Sequence, residues 1–295
     1  MTLLCIGKTG QVATALAERT RAYGTPCICL GRPDTDLQDR ASLERAIDSV
    51  HPDFVINAAA YTAVDAAEAN RDEAFAINAD GAATLAELCA ARDLPLLHLS
   101  TDYVFAGDGD EAYREDDPVA PINIYGASKL AGEIAIKERL HQHIVLRTSW
   151  VYSPFGTNFV KTMLRLAKEK EAARVVDDQI GSPTSALDIA DVILQIAERV
   201  HEAPDDALFG TYHYTASGHV SWADVAYLIF ETYEQRMGCK IGLQPIPSSD
   251  YPTPAKRPLN SRLDTTKIER TFDVKPHDWT ERVRTVVNRL IDEGL

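Results

Sequence analysis

Tyr125 and Lys129 stand four positions apart in Tyr125-Gly126-Ala127-Ser128-Lys129, the opening of a helical pattern that runs on through Glu133. At 3.6 residues per turn the two side chains share one helix face, one above the other. A free tyrosine, with a pKa of about 10, holds its proton too tightly for exchange at neutral pH. A nearby ammonium stabilises the phenolate and brings that value toward the working range. Upstream, the apolar stretch 94–99 reads as a buried strand that delivers Ser100, Thr101 and Asp102 at its carboxyl end. Ligands of open α/β sheets bind at that end. A hydroxyl, a phenol and an ammonium gathered there suit one task, moving a proton on or off a carbonyl oxygen. Tyr-x-x-x-Lys alone is more often a chance pair on a solvated helix. Its weight here comes from Ser100-Thr101 and from the glycine loop at the chain's start.

That loop is Gly7-Lys8-Thr9-Gly10-Gln11-Val12-Ala13, set between a short apolar strand, 2–6, and an alanine-rich helix reaching about Tyr23. Glycines there permit a tight turn and let backbone amides approach a pyrophosphate at the helix N-terminus. Gly7, Gly10, Gln11 and Val12 are therefore candidate dinucleotide contacts. A second strand, 27–30, ends at Gly31-Arg32-Pro33. No acid stands at its tip to hold a ribose 2′-hydroxyl, and Arg32 suits a 2′-phosphate instead. This favours NADPH, with NADH left open. Asp36 and Leu37 are placed to frame the adenine. A third strand, 53–56, leads into Asn57, Ala58, Ala59, Ala60 and Tyr61, whose alanines are small enough for a cofactor to lie against. A long helical region, 71–92, follows, with Asn78 at its middle read as a structural brace. Strands alternating with helices at this spacing predict an α/β protein with a Rossmann-type doubly wound parallel sheet.

Beyond the catalytic stretch, a strand at 144–146 leads into Arg147-Thr148-Ser149-Trp150-Val151-Tyr152. Trp150 is either a wall for a sugar ring or a packing residue, and a short strand is expected at 175–176. After residue 178 the alternation weakens, and the tail is expected to hold short strands at 211–214 and 240–243 and helices near 221–236 and 281–293. It reads as a smaller C-terminal substrate-binding lobe folded over the sheet's carboxyl edge. The division expected is 1–177 for the dinucleotide and 178–295 mainly for substrate, with some elements interleaved. The basic stretch Lys256-Arg257-Pro258-Leu259-Asn260-Ser261-Arg262 is the natural place for an anionic ligand head, with Arg257 its leading candidate.

Composition narrows the classes. At 295 residues the chain exceeds what one core usually holds. With 30 Lys plus Arg against 44 Asp plus Glu, the net charge is −14, so nucleic acid is not an expected partner. The five cysteines lie mostly in apolar runs and read as buried thiols, without metal-type spacing. No signal peptide and no membrane-spanning apolar run is read, so a cytoplasmic protein is expected, with no membrane partner.

Taken together, Gly7 to Val12, Asn57 to Asp65, Ser100-Thr101-Asp102-Tyr103-Val104-Phe105, Tyr125 to Lys129, Arg147 to Tyr152, Asp178 to Thr184 and Arg257 to Ser261 resemble the extended short-chain dehydrogenase/reductases. Within them the chain is similar to the reductases of dTDP-sugars. The resemblance spans positions 7 to 263. It implies NADPH-dependent reduction of the 4-keto group of dTDP-4-dehydro-L-rhamnose to dTDP-L-rhamnose. It also implies that Thr101, Tyr125 and Lys129 are catalytic, that Tyr125 and Lys129 also meet the cofactor, and that Asp102, Tyr103 and Trp150 lie by the sugar. Two departures stand out. Ala13 replaces a usual third glycine. Some members bind Mg²⁺ between subunits through carboxylates, one of them just after the glycine loop. Here 13–16 reads Ala-Thr-Ala-Leu, with no acid before Glu18, so no metal is expected, and a homodimer stays open. The alternatives are a nucleotide-sugar dehydratase or epimerase and an NADP-binding regulatory subunit like that of methionine adenosyltransferase. A dehydratase expects an Asp-Glu pair after the threonine, where this chain has Asp102-Tyr103.

Overall fold

Short runs of four to six residues, mostly apolar and mostly buried, make the central sheet. In the computed structural model, which describes residues 1–169 and 172–294, six parallel strands pair. They are β1 (Leu3–Ile6), β2 (Cys27–Leu30), β3 (Phe54–Asn57), β4 (Leu96–Thr101), β5 (His143–Thr148) and β6 (Gly210–His213). Across the sheet the order is β6-β5-β4-β3-β1-β2. The order turns back between β1 and β3, which opens a crevice at their carboxyl ends, the usual ligand position of such sheets.

Helices cover both faces. Gln11–Tyr23 and Ala186–Glu202 bury Leu16, Ile189 and Ile193 against one side. Arg40–Val50, Ala82–Ala90 and Ile124–Arg139 bury Leu43, Ile47, Leu85 and Ile136 against the other. This is the doubly wound, Rossmann-type α/β arrangement. The helical region expected at 71–92 is broken by a π turn, Ala76–Gly81, with Asn78 inside it. Extra-residue turns of this kind occur mostly at functional sites.

A second core joins the helices Phe159–Glu169, Trp222–Met237 and Trp279–Asp292 through Leu164, Ile229 and Val283. Beside it, Ala173–Val176 pairs in parallel with Leu243–Ile246. The tail strand therefore lies later than the 240–243 expected. The stretch expected as a tail-lobe strand at 211–214 is instead β6, beside β5 in the main sheet. Its polar residues hid its burial. Tyr212 is enclosed and donates from its hydroxyl to the Leu208 carbonyl at 3.0 Å, and His213 is fully buried. The chain thus crosses position 177 in both directions. Phe159–Glu169 and Ala173–Val176 join the second core, while Ala186–Glu202 and β6 complete the first. Among the described residues, no helix is long and apolar enough to cross a membrane.

Candidate active site

Gly7 leaves β1 with φ +137°, a conformation that side chains disfavour, and a Cβ there would press on the Ala58 backbone at 3.3 Å. The glycine loop and the end of β3 therefore close on each other across the crevice. Gly10 opens the helix Gln11–Tyr23 with no side-chain cap, and a Cβ built on it meets nothing within 4 Å. Free amides over open space are what a pyrophosphate needs. Val12 is buried beneath the loop, and Ala58, Ala59, Ala60 and Tyr61 keep part of their surface exposed along the crevice. These residues fit a bound dinucleotide.

Two of the expected cofactor contacts are otherwise engaged. Gln11 accepts at Oε1 from Ser153 at 2.8 Å and from Asn158 at 3.1 Å, so its side chain ties the loop to the 151–158 segment. Leu37 turns its side chain inward, into the core with Leu43 and Ile77. Asp36 stays partly exposed and accepts from the Gln38 amide. Arg32 is exposed at the tip of β2. Lys8, which sequence reasoning passed over, stands exposed in the glycine loop and pairs with Asp34 at 3.0 Å. Its signal was a second cation near the same ribose position.

The catalytic candidates come together at the end of β4. Asn123 caps the helix Ile124–Arg139 by accepting from the Gly126 amide at 2.8 Å, which fixes where Tyr125 and Lys129 begin. Burial pushes the Tyr125 phenol up to about 12; the neighbouring Thr101 hydroxyl draws it back, and Asp102 adds to the rise. Tyr103 meets the Tyr125 ring edge-on, with centroids 5.7 Å apart. Thr101 donates to Asp102 Oδ1 at 3.0 Å and accepts from the Tyr103 amide at 3.2 Å. Asp102 is 4% exposed, its Oδ2 has no hydrogen-bond partner, and burial raises its carboxyl to about 7. A carboxyl in that state exchanges protons near neutrality.

Lys129 lies against β4. Its Nζ donates to the Leu99 carbonyl at 2.7 Å and meets His98 Nε2 at 3.0 Å, so it is held on β4. Burial lowers its ammonium to about 8, and Glu133 works against the drop. Asn78 braces the site, as expected. It accepts from the Tyr61 amide at 2.8 Å and donates to the Tyr61 carbonyl at 3.1 Å and to Ser128 Oγ at 2.9 Å.

Trp150 takes φ +50° just past β5 and stacks on Trp222, with centroids 3.7 Å apart. Gly181 lies against its Cε2 edge, where a Cβ would come within 2.6 Å. Packing thus covers much of the ring in this structure. Arg257 donates to Asp65 Oδ2 at 2.8 Å, while its Nη1 is buried without a partner. Asp65, the partner already holding that arginine, was not foreseen. Glu18, the first acid after the glycine loop, is gripped at both oxygens by Arg289, each at 2.8 Å. Among the described residues, no group of three or more His, Cys, Asp or Glu side chains could hold a metal ion.

Comparison with known proteins bears on this geometry. Residues 1–291 match the family model described as the RmlD substrate binding domain. The dTDP-4-dehydrorhamnose reductase of Sinorhizobium fredii is 45% identical over 294 residues, covering 100% of this chain and 99% of that protein. The enzyme of the same name from Escherichia coli K12 is 41% identical, covering 98% of each. A crystal structure of dTDP-4-dehydrorhamnose reductase from Bacillus anthracis in complex with NADP superposes with a TM-score of 0.89. It is 34% identical and covers 99% of this chain and 100% of that one. The chain belongs to the dTDP-4-dehydrorhamnose reductase family.

Proposed function

We propose that this protein reduces the 4-keto group of dTDP-4-dehydro-L-rhamnose with NADPH, giving dTDP-L-rhamnose. The observation that carries the reading is the Thr101 hydroxyl set beside the Tyr125 phenol, next to a crevice fitted for a dinucleotide. When bound, NADPH supplies a hydride to the carbonyl carbon. Tyr125 gives its proton to the carbonyl oxygen, and Thr101 orients that oxygen. To donate there, Thr101 turns its hydrogen away from Asp102, where it now points. Lys129 supports the phenolate left behind and holds the ribose. Asp102, Tyr103, Trp150 and Arg257 face the substrate.

Dinucleotide binding falls mainly to 1–177 through Gly7, Gly10, Val12, Arg32, Asp36 and the 58–61 stretch. Substrate binding falls mainly to 178–295, apart from the interleaved elements. NADPH is preferred, on the strength of Arg32 and Lys8 at the ribose position. The net charge of −14 supports a small-molecule substrate over nucleic acid, and the cysteine pattern supports a cytoplasmic enzyme; no helix among the described residues is long and apolar enough to cross a membrane.

The direct test supplies the purified protein with NADPH and dTDP-4-dehydro-L-rhamnose. Loss of NADPH with formation of dTDP-L-rhamnose is expected. Tight NADP binding without turnover would favour a binding subunit instead. For the cofactor, kcat/KM should be higher with NADPH than with NADH, and Arg32→Ala should narrow the gap. Equal values in the parent protein would remove Arg32 from this role.

A further inference from the structure

The hydrogen-bonding capacities behind Lys129 fix more than its position. The Ala59 amide donates to Asn57 Oδ1 at 3.2 Å, which orients the Asn57 side chain. Its nitrogen Nδ2 then faces His98 Nδ1 at 3.0 Å. An amide nitrogen only donates, so Nδ1 is the acceptor and carries no hydrogen. A neutral imidazole in that state bears its one hydrogen on Nε2, the atom 3.0 Å from Lys129 Nζ. An ammonium offers only donors and cannot accept it. An amine can. Its lone pair receives the Nε2 hydrogen, and one of its own hydrogens goes to the Leu99 carbonyl at 2.7 Å.

Water offers no substitute, because Asn57, His98 and Lys129 are 1%, 1% and 2% exposed. Turning the Asn57 amide over would let Nδ1 donate and Nε2 accept, but it would set two donors, Nδ2 and the Ala59 amide, against each other. Desolvation favours the neutral form of both His98 and Lys129, and each would raise the cost of charging the other. Glu133, on the same helix as Lys129, is the charge that opposes this. Glu133 is itself neutralised by Arg147, at 2.7 Å.

We propose that His98 is a positioning residue that holds Lys129 on β4 in the unliganded protein and favours its amine over its ammonium, Asn57 fixing the tautomer that makes this so. Its value to catalysis rests on the reading of Tyr125 and Lys129 as the working pair. A lysine whose proton is held this weakly gives the phenol less support until the site is filled.

The test needs no substrate, so its failure and the failure of the reductase reading are separable. In ¹⁵N-histidine-labelled protein at pH 7, long-range proton–nitrogen correlation should show His98 with Nδ1 bare and Nε2 protonated, unchanged down to pH 5. In protein carrying ¹³Cε-lysine, Lys129 should titrate well below free lysine. Asn57→Asp supplies a carboxylate that accepts from Nδ1–H, so it should reverse the tautomer and raise the Lys129 proton affinity at least tenfold. With a purely structural His98 the tautomer would stay as it is, and the added carboxylate alone would move only the Lys129 titration. An Nδ1–H tautomer or a charged ring in the parent protein overturns the proposal, and so does Lys129 titrating like free lysine. If the Asn57 variant does not fold, the parent protein's tautomer decides alone.

Discussion

Tyr125 is asked to give up a proton from a phenol that burial holds at about 12. That value keeps the group protonated and ready as an acid, and it makes stabilisation of the phenolate by its neighbours the decisive catalytic contribution. Tyr125→Phe removes the proton and little volume. It should lower kcat by about 10²–10⁴, the usual size of a general acid–base contribution, with NADPH affinity by calorimetry retained. Near-parental turnover would take Tyr125 out of the mechanism. Asp102 gives a second reading at this scale, because burial raises its carboxyl from 3.8 to about 7. Over that span the folded protein binds a proton that the unfolded chain has released. The stability from this group is therefore fully present below about pH 4 and is lost as pH rises through 7. Asp102→Asn, neutral throughout, should gain stability relative to the parent between denaturant melts at pH 4 and pH 8. A stability difference that does not change with pH would mean the carboxyl is not raised.

Two periodicities meet at β4 and the helix behind it. Alternate strand residues His98 and Ser100 face the helix residues Lys129 and Glu133, four apart, so a period of two matches one helical turn. Lys129 meets His98 at 3.0 Å, and Ser100 donates to Glu133 at 2.5 Å. Arg147 on β5 closes the lattice by donating to both Glu133 oxygens, at 2.9 and 2.7 Å. Arg147→Met keeps the bulk but strands a buried carboxylate. It should cost about 3–5 kcal/mol in urea unfolding, with Glu133→Gln in the same chain recovering part of it. A loss under about 1 kcal/mol would show that water reaches the pair. Much of this element was legible in the sequence. The Tyr125 and Lys129 spacing, the apolar run before Thr101 and the glycine loop follow local periodicity. The partners were not, because Asn57, His98 and Lys129 meet only after β3, β4 and the helix assemble. β6 was read as a strand, but its place beside β5 was not legible, because that pairing and the His213 amide's bond to Glu115 join residues far apart in the chain.

At the scale of the whole molecule, two cores share a chain that passes between them several times, and the basic stretch 256–262 is bonded through its backbone to Gly107, after β4, and to Ile180. Asn123, the cap of the catalytic helix, donates to the Lys256 carbonyl at 2.9 Å, so this stretch is tied directly to the start of that helix. A protein of net charge −14 gains no long-range attraction for a dTDP-sugar. Recognition of the diphosphate must then rest on local donors. Arg257 offers one, since Asp65 takes Nη2 and leaves the buried Nη1 unpaired. Charge-assisted hydrogen bonds of this kind contribute about 1.5–3 kcal/mol, and about 1.4 kcal/mol is tenfold in affinity. Arg257→Ala should therefore raise KM for the dTDP-sugar roughly tenfold or more while leaving NADPH binding nearly unchanged. Asp65→Asn keeps the arginine and loosens its tether, so its KM should rise less. Calorimetry with dTDP, read beside the melting temperature, separates recognition from bracing. Lost dTDP affinity at an unchanged melting temperature supports the site, whereas unchanged affinity or a collapse in stability would assign Arg257 to bracing the helix that carries Asp65.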